Sequence, residues 1–397
     1  MTDRIVVVGA GYAGAGTVDS LKDEVPDAGL EDDVELVWIN EEDYHLVLHE
    51  SHRVIRDPSV ASKITVPCAS MLPDWGEFVQ DRVVGLDTDE RTVELEDGDP
   101  VDYDYLLLGV GSATAFFGID GLREHALTLK SLADAREIHQ SVREAAADAS
   151  VADPAQVIVG GAGLSGIQAA GEIAAYRDEH NAPVDVHLVE GLDDVFPNNP
   201  DEVQDAIRRR LEAAGVNIEC GEFISEVDDE TVYLGGGEEE EPEEMPYDVL
   251  VWTGGITGRE ELENTDLEKD ERSRRVFADR NFRTSDDRVF AIGDTALIDQ
   301  GDDDVAPPTA VAAWTAATVA GENLVHAVLD EPLSTWTYED KGTLISVGDA
   351  AIAHNVDSLP FGTFGGPGAK FLKKAAAVRW IASISSLGRG MSAWSDM

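Results

Sequence analysis

An α/β fold built on two parallel, helix-covered sheets is what this sequence predicts, and three observations predict it. An apolar run from Arg4 to Val8 ends in glycines close to the N-terminus. The same order of strand, glycine turn and helix returns at Val157 to Gly160, roughly 150 residues later. Each copy is followed by a second strand at the distance a βαβ unit requires.

In the first copy the helix starts at Tyr12 and continues to about Lys22, and the second strand is Val34 to Asn40. In the second copy these elements are Leu164 to Ala175 and Val184 to Glu190. Short strands separated by acidic, glycine-containing turns follow each copy. Thr92 to Glu96 precedes Asp97-Gly98, and Thr231 to Leu234 precedes the acidic stretch Gly235 to Glu244, which reads as a solvated hairpin loop. Apolar strands within Tyr103 to Thr114 and Tyr247 to Gly255 run into glycines and close the two sheets. Arg288 to Asp294 is a further strand, and Pro307-Pro308 opens a helix to about Val328, with proline tolerated in its first turn. The predicted organisation is two Rossmann-type, three-layer dinucleotide-binding domains. One is discontinuous, over 1–115 and 281–330; the other, 116–280, is inserted into it; 331–397 forms a separate C-terminal unit.

Gly9, Gly11 and Gly14 make a GxGxxG fingerprint, and Gly161, Gly163 and Gly166 make a second. The spacing allows a tight turn and lets backbone N–H groups approach a pyrophosphate. It also seats a helix N-terminus where its dipole favours an anion. Glu190, at the end of the strand after the second fingerprint, is placed to accept a ribose 2′-hydroxyl and to repel a 2′-phosphate, which favours NADH over NADPH; in so acidic a chain it also reads as an ordinary surface acid. In the first copy that place holds Asn40, which can accept one hydroxyl hydrogen bond, and Glu41 follows with a carboxylate. Asp294 ends its strand among glycines, where a carboxylate can bond cofactor hydroxyls or simply form the turn.

Charge narrows the function further. Eighty acidic residues stand against 29 basic ones, for a net charge of −51. Such a surface repels itself in dilute buffer and becomes tolerable in molar salt, where the Debye length is ~3 Å, so the composition reads as halophilic adaptation. Nucleic acid is not expected as a partner, because duplex binding needs a basic face and none is visible before the last forty residues. No signal peptide precedes the first strand and no apolar run approaches ~20 residues, so the expectation is a protein that faces the cytoplasm. Cys68 and Cys220 are too far apart for a CxxC motif and read as two buried structural thiols; no metal site is expected. From Ser358 to Trp394 there are five basic residues (Lys370, Lys373, Lys374, Arg379 and Arg389) and no acidic ones. A basic, tryptophan-containing helix suits an anionic membrane surface, with lysine stems reaching towards headgroups, or else packs on the acidic body or at a homodimer interface.

Together, VVVGAGYAG, INEEDYHLVL, SATAFFGIDG with HALTLKSL, VGGAGLSG, FAIGD, PPTA and YEDKGTL resemble the pyridine-nucleotide-linked flavoproteins, and most closely the type II NADH dehydrogenases, single-subunit NADH:quinone oxidoreductases. The resemblance implies FAD at the first fingerprint, with Gly111, Ser112, Gly293, Asp294 and Ala310 nearby. It implies NADH at the second, with Gly254 and Gly255. Hydride would pass to the flavin and electrons onward to a membrane quinone, with the C-terminal segment docking the protein peripherally on the cytoplasmic face of the membrane. The helix opening at PPTA would aim its dipole at the flavin ring. Lys341 would lie near the flavin, unless it is a solvated surface lysine. Two departures touch the acceptor. Gln168 replaces the family's glutamate beside the flavin and, as a neutral amide, cannot relay a proton; Ala310 to Thr315 lacks both glutamines of the family's AQxAxQ segment. Sulfide:quinone oxidoreduction, which needs more cysteines, a ferredoxin-type reductase, and an NADH-binding redox sensor are the alternatives on the same scaffold.

Overall fold

Ile5, Val6, Val7 and Val8 are all buried, and their β-branched side chains hold Asp3–Val8 extended as strand β1. The glycine turn ends the strand and α1, Tyr12–Asp27, follows. Val34–Asn40 forms β2, Gly76–Gln80 β3 and Tyr105–Leu108 β4. All pair in parallel, with β1 between β2 and β4 and β3 outside β2. This computed structural model describes residues 2–236, 241–302, 304–357, 359 and 362–394.

The second unit begins with helix α2, Leu132–Asp148, opened by a capping box: Ser131 Oγ accepts the Asp134 N–H at 3.0 Å and the Asp134 carboxylate accepts the Ser131 N–H at 3.1 Å. Ala155–Gly160 (β5), Leu164–His180 (α3), Val184–Glu190 (β6), Val216–Cys220 (β7) and Val249–Trp252 (β8) then build a parallel sheet in the order β7-β6-β5-β8. Val289–Ala291 (β9) returns to the first sheet, outside β4. The first sheet thus takes strands from both sides of the second. Ala310–Val328 (α4) packs against α1 closely enough that a Cβ on Gly16 would stand 2.7 Å from the Ala317 Cβ.

Three antiparallel strands, Thr343–Val347 (β10), Ala350–His354 (β11) and Thr363–Gly365 (β12), lead into helices α5, Pro367–Ile384, and α6, Leu387–Ala393. This C-terminal unit does not stand apart: Trp380, Ile381 and Ile384 are buried in the same core as β1 and α1. Among the described residues no helix is long and apolar enough to cross a membrane.

Several local expectations are corrected. Helix α4 begins at Ala310, after the two prolines, because Thr309 Oγ1 accepts the Ala312 N–H and serves as the N-cap. Glu243 and Glu244 belong to a strand, Glu243–Pro246, paired with Thr231–Leu234, while residues 237–240 of the acidic stretch lie outside the described residues. Cys68 is buried, and burial pushes its thiol up to about 12, but Cys220 is only half-buried, against Arg208. Lys373 is a core residue, 3% exposed, and not a surface lysine reaching outward.

Candidate functional site

Two matching glycine turns define the site. Gly9 has φ of +100°, and a Cβ on it would lie 2.3 Å from the Gly109 carbonyl oxygen, so no other residue fits. A Cβ on Gly14 would lie 1.8 Å from Gly9 O, and one on Gly166 1.8 Å from Gly161 O, which is the close helix-to-turn packing the third glycine provides. The middle glycines behave differently. Nothing lies within 4 Å of a Cβ built on Gly11 or Gly163. Both are helix N-caps with no side-chain cap, so the first-turn N–H groups of α1 and α3 face open space shaped for an anion. Each turn therefore fits a dinucleotide pyrophosphate.

The side chains at the ends of β2 and β6 do equivalent work. Asn40 Oδ1 accepts the Ala10 N–H at 2.8 Å, and Glu190 Oε2 accepts the Ala162 N–H at 2.8 Å, each steadying the residue after the first glycine. Asn40 Nδ2 donates to Glu42 O, and Glu190 Oε1 accepts the Leu192 N–H at 3.1 Å. Asn40, expected to accept a ligand hydroxyl, lines the first cavity and uses one bond at each end on backbone groups, the Ala10 N–H and the Glu42 carbonyl.

A cavity of about 740 Å³ lies along the first turn, lined by Gly9, Gly11, Asn40, Glu41, Gly111 and Ser112. A second, about 1040 Å³, runs along the other turn, lined by Gly161, Gly163, Gln168, Glu190, Gly254 and Gly255, and also by Gly293 and Ala310. Gly11, Gly111, Lys130 and Asp294 line both, so the cavities adjoin. Gly14 and Gly166 lie behind their turns and Lys341 lies outside both cavities. The lysine faces Glu339 and, at 3.9 Å, Asp357, while its neighbours Asp340 and Gly342 line the larger cavity.

At the junction Lys130 Nζ donates to Ser112 Oγ at 3.1 Å, and Ser112 Oγ to Asp294 Oδ2 at 3.3 Å. Burial pushes the Lys130 ammonium down, with Asp294 opposing it. Sequence reasoning misses this lysine, although it lies in HALTLKSL, one of the segments that carry the family likeness.

It also missed the charged wall of the larger cavity. Tyr12, His49, His52 and Lys373 line that wall. Tyr12 Oη is hydrogen-bonded to His49 Nδ1. Behind them Glu50 meets Lys373 Nζ at 3.1 Å and Arg53 Nε at 2.5 Å, while Arg56 Nε meets Glu172 at 3.0 Å. Burial raises the Glu50 carboxyl, but Lys373 and Arg53 outweigh it and hold it well below the usual carboxylate range. Burial lowers His49 to about 4, so its ring is neutral near pH 7. Gln168 Nε2 donates to Ser346 Oγ at 3.2 Å, which also bonds His52 Nε2 at 3.0 Å. The available signal was the density of His, Glu and Arg in LHESHRVIR, an unusual run between apolar residues.

Residues 3–318 match the family model for pyridine nucleotide-disulphide oxidoreductases. The chain belongs to the pyridine nucleotide-disulphide oxidoreductase family. Within that family it is 27% identical, over 97% of this chain and 96% of the other, to a type II NADH:quinone oxidoreductase of Staphylococcus aureus. Its fold matches that of NDH2 from Plasmodium falciparum in complex with NADH, with TM-score 0.82, 14% identity, and coverage of 99% of this chain and 98% of that one. It also matches sulfide:quinone oxidoreductase from Aquifex aeolicus, with TM-score 0.78, 17% identity, and coverage of 97% and 92%.

Proposed function

We propose that the protein is an FAD-dependent NADH dehydrogenase that passes electrons to a membrane quinone. The observation that carries this reading is the meeting of two pyrophosphate cradles in adjoining cavities, which brings a dissociable dinucleotide up to a prosthetic one. The S. aureus relative, similar over nearly the whole chain, supports NADH as donor and quinone as acceptor.

The turn at Gly9, Gly11 and Gly14 would hold FAD, with Glu41, Gly111, Ser112, Gly293, Asp294 and Ala310 along it. The turn at Gly161, Gly163 and Gly166 would hold NADH, with Gly254 and Gly255. When bound, FAD supplies the ability to take a hydride and return its electrons to a second substrate. The chain's own residues align and select. The Glu190 carboxylate disfavours a 2′-phosphate. Lys130, tied to Ser112 beside Asp294, offers a cation at the junction of the cavities. Gln168 holds its place through Ser346 and carries no transferable proton at neutral pH. Leu46, Leu48, Trp314 and Ala376 give the larger cavity an apolar stretch suited to a quinone ring. Neither Cys68 nor Cys220 lines either cavity, which disfavours thiol-based sulfide oxidation.

Peripheral attachment to the cytoplasmic face of the membrane fits the surface of the two last helices. Phe371, Leu387 and Met391 are 58%, 69% and 56% exposed, on helices that also carry Lys370, Arg379 and Arg389.

Steady-state oxidation of NADH in molar KCl tests the reading, with a short-chain quinone and with ferricyanide as acceptors. Turnover with both is expected; turnover with ferricyanide alone removes the quinone, and no NADH oxidation removes the enzyme.

A further inference from the structure

The peptide that joins Gly9 to Gly11 is held from two sides. Ala10 donates its N–H to Asn40 Oδ1, and its carbonyl oxygen accepts a hydrogen bond from His45 Nδ1 at 2.7 Å. The other nitrogen of that imidazole, Nε2, accepts the indole N–H of Trp380 at 2.8 Å. Because Nδ1 must donate to a carbonyl and Nε2 must accept from an indole, the ring is fixed in its neutral Nδ1–H tautomer. His45 is fully buried and Trp380 is 1% exposed. Trp380 also packs against Trp314 of α4 and Tyr12 of α1, with ring centroids 4.6 and 5.0 Å away, so both rings have settled positions.

Trp380 lies on α5, at the far end of the chain from the first fingerprint. Among the described residues the other hydrogen bonds to Gly9 and Ala10 come from the turn's own unit: Trp38 Nε1 donates to Gly9 O at 2.9 Å, Gly9 N–H donates to Ile39 O at 2.8 Å, and Asn40 lies at the end of β2. The C-terminal helix thus reaches the cradle by one hydrogen-bonded route, the His45 imidazole, beside the ring packing of Trp380 on Tyr12, which a phenylalanine at 380 keeps.

We infer that His45 is a positioning residue for the prosthetic group, and that the chain from Trp380 through His45 to Ala10 makes FAD retention depend on the docking of the C-terminal helix. The inference rests on the first fingerprint holding FAD. The physical reason is preorganisation: N–H groups that cradle a pyrophosphate bind it tightly only if the turn is already held in the bound shape. Releasing Ala10 O leaves a buried carbonyl without its partner and lets the peptide rotate.

The test measures FAD dissociation from the purified, full-length flavoprotein in molar KCl, by recovery of free-flavin fluorescence. His45→Leu and Trp380→Phe are each expected to raise the dissociation constant about tenfold, and the double variant no further than His45→Leu alone, because both act on one chain. His45→Asn, which keeps a donor near Nδ1, recovers part of the loss. NADH affinity at the second fingerprint stays unchanged, which separates this effect from general loosening of the fold. Circular dichroism confirms that each variant is folded, and were the Leu variant unfolded, Trp380→Phe and His45→Asn would carry the measurement. Wild-type flavin retention in both of these variants, or additive losses in the double variant, overturns the inference. Wild-type protein that neither carries nor takes up FAD overturns the reading on which it rests.

Discussion

Lys373 Nζ stands 3.1 Å from Glu50 Oε1, with 4% of the lysine side chain and none of the glutamate exposed. The pair ties α5 to the segment that follows β2, beneath the wall of the larger cavity. Removing Glu50 leaves the Lys373 charge in the core without its carboxylate, whereas removing Lys373 leaves Glu50 on Arg53 at 2.5 Å. Glu50→Gln is expected to cost about 3–5 kcal/mol of stability, and combining it with Lys373→Met should recover part of that loss. Denaturant unfolding at fixed salt measures both; equal stability of the single and double variants would show that the pair is not coupled.

The glycines of the first fingerprint should separate folding from binding. Gly9→Ala forces a side chain into the Gly109 carbonyl at a positive φ, so the protein should fold poorly or not at all. Gly11→Ala meets no protein atom within 4 Å and should fold normally but bind FAD weakly, its methyl group standing in the cradle. Circular dichroism together with flavin content distinguishes the two, and an alanine at 11 that retained full flavin would refute the placement of the pyrophosphate.

Glu190→Ala should weaken NADH binding by about 1–3 kcal/mol and narrow the preference over NADPH. Part of that loss comes through the turn, since Glu190 also accepts the Ala162 and Leu192 N–H groups. Glu190→Gln, which keeps an acceptor but no charge, should restore more NADH affinity than NADPH discrimination. Titration with each nucleotide resolves these two roles.

Acid should weaken the fold earlier than carboxylate titration alone predicts. Burial lowers His45 and His49 each to about 4, from an unfolded value near 6.5. A depressed histidine pKa means that the unfolded chain binds the proton first. The stability these rings contribute is complete above about pH 6.5 and is lost as the pH falls from there towards 4. Unfolding midpoints between pH 7.5 and 5 should fall, and the fall should be shallower in His45→Asn. A midpoint that stayed level down to pH 5 would show that these rings are already solvated.

Much of this protein follows from local chemistry. Both fingerprints, the strands Val34–Asn40, Val184–Glu190 and Thr231–Leu234, and the site glycines were legible because each depends on neighbours within a few residues: β-branched runs for the strands, an absent Cβ for the turns. The residues that sequence reasoning missed or misplaced depend on distant partners. Lys130 becomes a site residue only once Asp294 stands beside it, and Tyr12 only once His49 is bonded to it.

The two nucleotide-binding units and the family to which they belong can be read from the chain alone. Folding alone brings a lysine and a tryptophan from a basic, tryptophan-containing C-terminal segment into the core, one on Glu50 and one on His45. A charge or an indole N–H is buried only where another part of the chain supplies its partner. Here those partners lie more than 300 residues away, and no local pattern could announce them.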